Sequence, residues 1–303
     1  MKRAVFGLFV AAFVAIPRVA SAYCQARACD TSNPADRCQI DDDDCVTSGS
    51  TLFWASSCVT FAVQRDGSRE QDIGADEVLG IASRAFSHWL SSDCGGEAPS
   101  LQVGMLGLVA CDQSEYNPEG RNANVIMFRD EEWPYPGAID TYAYTVLRFD
   151  PNTGELRDAD IEINTAEFEI STDPEDGIDL ESILTHEVGH FLGLAHAAPA
   201  DDDATMAANW NGEGTALRSL SADDGDGMCA TYPPDRQATT SSCDPRNGFA
   251  SECGVPVSAP DESGCSISRV PSKSHDPMPV ALSALMLGLT LRRRAKRRMG
   301  RRC

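Results

Sequence analysis

Five residues in this chain have the types and spacing to activate a water molecule. His186-Glu187-Val188-Gly189-His190 sets two imidazoles four residues apart with a carboxylate between them, and Gly193 and His196 follow. Residues four apart on an α-helix differ by about 40° in direction and about 6 Å in height, so both rings face one way and can bind one ion. Glu187 points near the same face and can hold a water beside that ion. Gly193 tolerates the left-handed backbone that a helix stop needs, so the chain can turn back and bring in His196 as a third nitrogen. Three neutral imidazoles suit one catalytic Zn²⁺, leaving its charge uncompensated and one position open, where water has a pKa of about 7. Five fixed positions, each filled by chance about once in twenty, predict on the order of 10⁻⁴ accidental matches in such a chain. Three of the five histidines fall inside the pattern. The expected chemistry is amide hydrolysis, with Glu187 as general base and then as proton donor to the leaving amine.

These side chains need a helix, and the sequence supplies its start: Asp179 is a suitable N-cap for Leu180-Glu181-Ser182-Ile183-Leu184. A second helix is expected over Ala75–Leu90, where Val78, Ala82, Ala85 and Trp89 recur at three- and four-residue spacing. His88 lies on it and reads as a surface or packing residue. Strands are expected at 53–54, 59–63, 101–109 and 124–128, from alternating β-branched and aromatic residues. Residues 142–149 and 159–164 read as a strand pair joined around the turn residues Pro151-Asn152-Thr153-Gly154. A short closing helix is expected from Ser221, with Asp224 three residues on in a capping box. These elements make one mixed domain over residues 51–234.

Both ends read as address labels. Residues 1–22 have a basic start, a short apolar run and Ala20-Ser21-Ala22 at the end, the form of a secretory signal peptide. Residues 23–50 carry four cysteines and almost no large apolar residues, so disulfides must hold them. Residues 235–265 are rich in Thr, Ser, Asp and Pro and read as a linker containing cysteine. In 266–303, a 14-residue apolar run with Pro279 inside it precedes an arginine cluster. Spanning a bilayer takes roughly 20 apolar residues, so this run suits transient membrane contact better than a permanent anchor. Gly264-Cys265, the polar spacer, the apolar run and the basic end resemble the C-terminal sorting signals of myxobacterial surface proteins, which are removed near the Gly-Cys. The expectation is an exported protein, extracellular or at the cell surface.

Between Tyr23 and Cys265 stand 12 arginines and no lysine against 45 acidic residues, a formal charge near −33. Such a surface repels phosphates and argues against a nucleic-acid partner. Setting aside Cys265 and Cys303 leaves ten cysteines, enough for five disulfides whose pairing the sequence leaves open.

His186–His196 has the form HExxHxxGxxH and resembles the metzincin endopeptidases, among them the matrixins. Ala204-Thr205-Met206 resembles the Met-turn of that family. Leu220-Ser221-Ala222-Asp223-Asp224, Gly227 and Tyr232-Pro233 resemble its closing helix, and residues 158–164 the strand before the active-site helix. The resemblance implies an α+β, metzincin-like fold: a twisted, mostly parallel sheet with an antiparallel edge strand, an active-site helix, a Met-turn and a C-terminal helix. It implies His186, His190 and His196 as metal ligands, Glu187 as base, and a monomer acting on a protein or peptide substrate. There are departures. Ala197 stands where many matrixins have serine, and His196 to Met206 is slightly long. Only His88 and His275 remain for a second zinc, so none is expected. Asp150, Asp158, Asp160 and Glu162 are the candidates for a structural Ca²⁺. Cys38 and Cys253, the residues nearest to a latency cysteine, read as disulfide members. Two rivals share the same residues: a non-catalytic adhesin keeping zinc for stability, and a hydrolase of cell-wall crosslinks.

Overall fold

A computed structural model of the chain describes residues 23–29, 35–136, 139–199, 203–245, 247–250 and 253–254. Residues 1–22, read above as a signal peptide, and Gly264-Cys265 and residues 266–303, read as a sorting signal, lie outside the described residues.

The sheet grows from short β-rich runs. β1 (Cys58–Gln64), β2 (Gln102–Val109), β3 (Val125–Phe128), β4 (Ala143–Phe149) and β5 (Leu156–Ile163) assemble in the order β2-β1-β3-β5-β4. All neighbours are parallel except β4, which runs antiparallel to β5 with Thr145 opposite Ile161 and closes one edge. Residues alternate between faces of a strand. Ala159, Ile161 and Ile163 of β5 therefore enter the main core with Phe61, Ile126 and Phe128, while Asp158, Asp160 and Glu162 share the opposite face.

On the core face lie α1 (Ala75–Leu90) and α2 (Leu180–Phe191). α1 buries Val78, Ala82, Ala85 and Trp89, the stripe expected from their spacing. Trp89 is fully enclosed and its indole N–H donates to Thr185 O at 2.8 Å, tying α1 to α2. Phe86 stacks on Phe61 and meets Phe191 edge-on, so one aromatic chain links sheet, α1 and α2. α3 (Ala222–Thr231) closes the domain behind the expected capping box of Ser221 and Asp224.

Three details depart from the sequence reading. Residues 53–54 form no strand; Phe53 makes one isolated parallel bridge to Glu155. β5 begins at Leu156, three residues earlier than expected. β6 (Ile170–Ser171) and β7 (Ile178–Asp179) pair with each other, and two residues are too few to carry a periodic signal.

The polar stretch after Pro234 returns to the domain. Cys243 bridges Cys58 and Cys253 bridges Cys111. Arg236 donates to Trp54 O, Ser56 O and Ser100 O, and Ser57 N–H donates to Thr240 O. Composition reads this stretch as a linker because most of its side chains are small and polar; disulfides, the Arg236 guanidinium and backbone hydrogen bonds hold it. The other pairs are Cys24–Cys45, Cys29–Cys38 and Cys94–Cys229, so all ten expected cysteines, Cys38 and Cys253 included, are paired. Among the described residues no helix is long and apolar enough to cross a membrane.

Candidate metal centre

The helix that carries the centre is fixed at both ends. At its start Asp179 accepts from Ser182 N–H at 2.9 Å and pairs with Arg218. At its end, backbone carbonyls left without helical partners are taken up by side chains: Trp54 Nε1–H donates to Phe191 O and the Tyr232 hydroxyl to Leu192 O, each at 2.8 Å. Gly193 then stops the helix with φ +91°, and a Cβ there would lie 2.5 Å from Leu52 O. Both the left-handed backbone and the close approach require glycine.

His186 and His190 project into a cleft and His196 turns back to meet them. Their ring centroids lie 4.8–5.2 Å apart. Each ring offers a nitrogen, and among the described residues these three make the only cluster of possible ligand atoms, all within 4.8 Å of one another. His190 Nε2 and His196 Nε2 are 3.2 Å apart. Two nitrogens at about 2.0–2.1 Å from one tetrahedral ion stand about 3.3 Å apart, so the spacing fits zinc.

The proton positions follow from the partners. His186 Nδ1 lies 2.7 Å from Thr205 O, and His190 Nδ1 lies 2.9 Å from Leu194 O. A carbonyl only accepts, so each Nδ1 carries the hydrogen and each Nε2 keeps its lone pair for a metal. Loss of hydration first, and the neighbouring imidazole second, hold all three rings below the ordinary histidine range, to about 4 for His186 and His196. Neutral imidazole is the form that ligates.

Glu187 is buried beside them, and burial raises its carboxyl above the usual range. Thr145 of β4 donates its hydroxyl to Glu187 Oε2 at 2.5 Å, which aims the carboxylate. Beneath the rings runs the Met-turn. Met206 is buried, and a Cβ on Gly189 would fall 2.2 Å from its sulfur, so the turn presses against the helix where only hydrogen fits. Ala197 N–H donates to Met206 O at 2.8 Å.

Asp224 fixes that turn. Its carboxylate accepts from Thr205 N–H at 2.7 Å, Met206 N–H at 3.1 Å and Ser221 N–H at 2.8 Å. Hydrogen bonds to a charged group contribute about 1.5–3 kcal/mol each, and a buried donor left alone costs about 1–3 kcal/mol. Asp224→Ala is therefore expected to lower unfolding free energy by at least about 3 kcal/mol in denaturant titration, with Asp224→Asn recovering part. A shift below about 1 kcal/mol would show that the turn holds itself.

The cleft has a volume of about 740 Å³ and runs between β4 with the preceding Tyr142, where Tyr144 and Leu147 also line it, and the segment after Met206, with Trp210 and Leu217. Comparison with known proteins agrees with this geometry. The Matrixin family model matches residues 107–233, which include all four expected site residues and the Met-turn. This chain carries a matrixin-like metzincin catalytic domain. The chain is 31% identical over 186 residues to Metalloendoproteinase 1-MMP of Arabidopsis thaliana, covering 60% of this chain and 44% of that protein. It is 25% identical over 173 residues to Matrix metalloproteinase-C of Caenorhabditis elegans, covering 56% of this chain and 26% of that protein. The chain thus matches less than half the length of either relative.

The four site residues read from the sequence come together in the matrixin-like domain. The calcium candidates do not. Asp150 is engaged with Arg157, and Glu162 with Arg129 and Tyr135. Burial first, and then Asp160 beside it, raise the Asp158 carboxyl well above the usual range, and burial raises Asp160 as well. The four make no shared ligand cluster among the described residues. Sequence reasoning missed Thr145, whose position opposite Ile161 is a matter of register, and it took Asp224 for a helix cap alone. The capping box and the likeness of residues 220–224 to the family's closing helix pointed to Asp224, but neither pointed to its hold on Thr205 and Met206.

Proposed function

We propose that this protein is an exported zinc-dependent endopeptidase that hydrolyses internal peptide bonds. The observation that carries the reading is the convergence of three neutral imidazoles and a buried carboxylate on a cleft whose wall is the last strand of a sheet. What a bound zinc ion supplies is Lewis acidity, toward a carbonyl oxygen and toward water.

The chain's own residues do the rest. His186, His190 and His196 would hold the ion, with Thr205 O and Leu194 O fixing the first two rings so that their Nε2 atoms stay free for it. β4 pairs with β5 on one side only, so its outer edge can take an extended peptide as an added strand, whose backbone supplies hydrogen bonds. Glu187, made more basic by burial and aimed by Thr145, takes a proton from the attacking water and returns it to the leaving amine.

Five disulfides support an oxidising compartment outside the cytoplasm, in keeping with the leader-like residues 1–22. The tail resembling a sorting signal would give transient membrane contact before attachment or release. The charge near −33 favours protein over nucleic-acid partners, and we take the working unit as a monomer.

The test is cleavage of casein or gelatin by the purified protein. Cleavage that a zinc chelator abolishes and added zinc restores supports the reading. Stoichiometric zinc with no cleavage of any protein or peptide would replace it with a zinc-stabilised adhesin.

A further inference from the structure

His196 lies in a stretch without regular secondary structure, so no helical ladder sets its position. Two backbone hydrogen bonds bracket it instead. After it, Ala197 N–H donates to Met206 O, part of the Met-turn already described. Before it, Ala195 N–H donates to Cys24 O at 2.9 Å. Cys24 belongs to the cysteine-rich segment that precedes the domain in sequence.

The same segment returns a second bond, Ala26 N–H to Gly193 O at 3.0 Å, so that Gln25 and Leu194 form an antiparallel bridge. Leu194 also supplies the carbonyl that holds His190 Nδ1. One two-bond ladder therefore steadies the backbone that presents His196 and the acceptor that orients His190. Ala26 borders the cleft itself.

The short strand is anchored on three sides. Leu52 N–H donates to Ala26 O and Ala28 N–H to Ser50 O, each at 2.8 Å. Gln25 Nε2 donates to Thr231 Oγ1 on α3 at 3.1 Å. Cys24 is buried and bridged to Cys45, which closes the segment on itself. Without that bridge, a few hydrogen bonds alone would have to offset the conformational entropy of holding an extended chain.

We propose that the Cys24–Ala26 strand, held by the Cys24–Cys45 disulfide, is a positioning element of the metal centre: it sets His196 and orients His190, and so governs zinc affinity. This rests on the three histidines binding zinc. Outer partners of metal ligands are typically worth 10–100-fold in metal affinity, and this strand holds partners of two ligands.

The experiment measures zinc affinity by chelator competition on the oxidised protein, the Cys24→Ser/Cys45→Ser variant, and a control, Cys29→Ser/Cys38→Ser, lacking the neighbouring bridge. The expected result is at least tenfold weaker zinc binding in the first variant and a change within threefold in the control. In the metal-free state, the Ala195 amide of the first variant should exchange hydrogen at least tenfold faster, with the α1 amides unchanged. A merely structural bridge would lower the melting temperature and leave zinc affinity where it was. Ala26→Pro, which keeps all five disulfides and removes one donor of the ladder, covers the case in which the double variant does not fold; about fivefold weaker binding is expected. Zinc affinity within threefold of the parent in a folded Cys24→Ser/Cys45→Ser variant, or within twofold for Ala26→Pro, overturns the proposal, as does an equal loss in the control. A parent that binds no zinc would instead sink the reading beneath it.

Discussion

Glu187→Ala is expected to cut kcat by about 10²–10⁴-fold while zinc content stays at one ion per chain. A positioned general base contributes that much, and here the position is set with care: the carboxylate is buried, raised in pKa by that burial, and held by the Thr145 hydroxyl. The side chain makes no contribution to the cluster of three nitrogens, so its removal leaves the ligands in place. The check is kcat on a quenched peptide together with metal analysis of the same preparation. A variant that cleaves at the parent's rate would mean that another group takes the proton; Asp140 is the other carboxylate lining the cleft.

His190→Ala is expected to lose metal and turnover together. It is the middle ligand of the three, with a ring centroid 4.8 Å from each of the others and its Nδ1 fixed by Leu194 O. Two imidazoles alone leave zinc short of the three protein ligands it keeps in catalytic sites. Metal analysis after dialysis should find the variant essentially empty. Because an ion that binds only the folded form stabilises it by RT ln(1 + [L]/Kd), the rise in melting temperature with added zinc seen for the parent should vanish. A full zinc complement in this variant would assign the metal to other residues. The two variants separate the roles: one keeps the ion and loses the proton transfer, the other loses both.

The amino-acid sequence determined much of this molecule by local rules. His186, Glu187 and His190 share a helix, and helical geometry alone fixes their common face. The stop at Gly193 follows from the one conformation that other residues avoid, and the structure has it at φ +91°. The stripe Val78, Ala82, Ala85, Trp89 marked α1 to the residue, and the caps at Asp179 and Ser221 follow from side-chain hydrogen bonds that span three positions. Such features need no knowledge of the rest of the chain.

The tertiary structure alone decided which distant groups meet. Thr145 reaches Glu187 because β4 pairs antiparallel with β5 in one register; a slip of one residue would turn that hydroxyl to the other face. Asp224 serves as a helix cap by local rules, but its second oxygen and its hold on Thr205 and Met206 depend on where α3 docks. The return of Cys243 and Cys253 to the domain and the strand of Cys24–Ala26 beside His196 depend on disulfide pairing, which ten cysteines leave open by combinatorics. Composition made the flanks look like appendages, since neither buries large apolar side chains of its own. Disulfides and hydrogen bonds from backbone, Arg236 and Gln25 hold them instead, and those depend on spatial proximity, which no local pattern encodes.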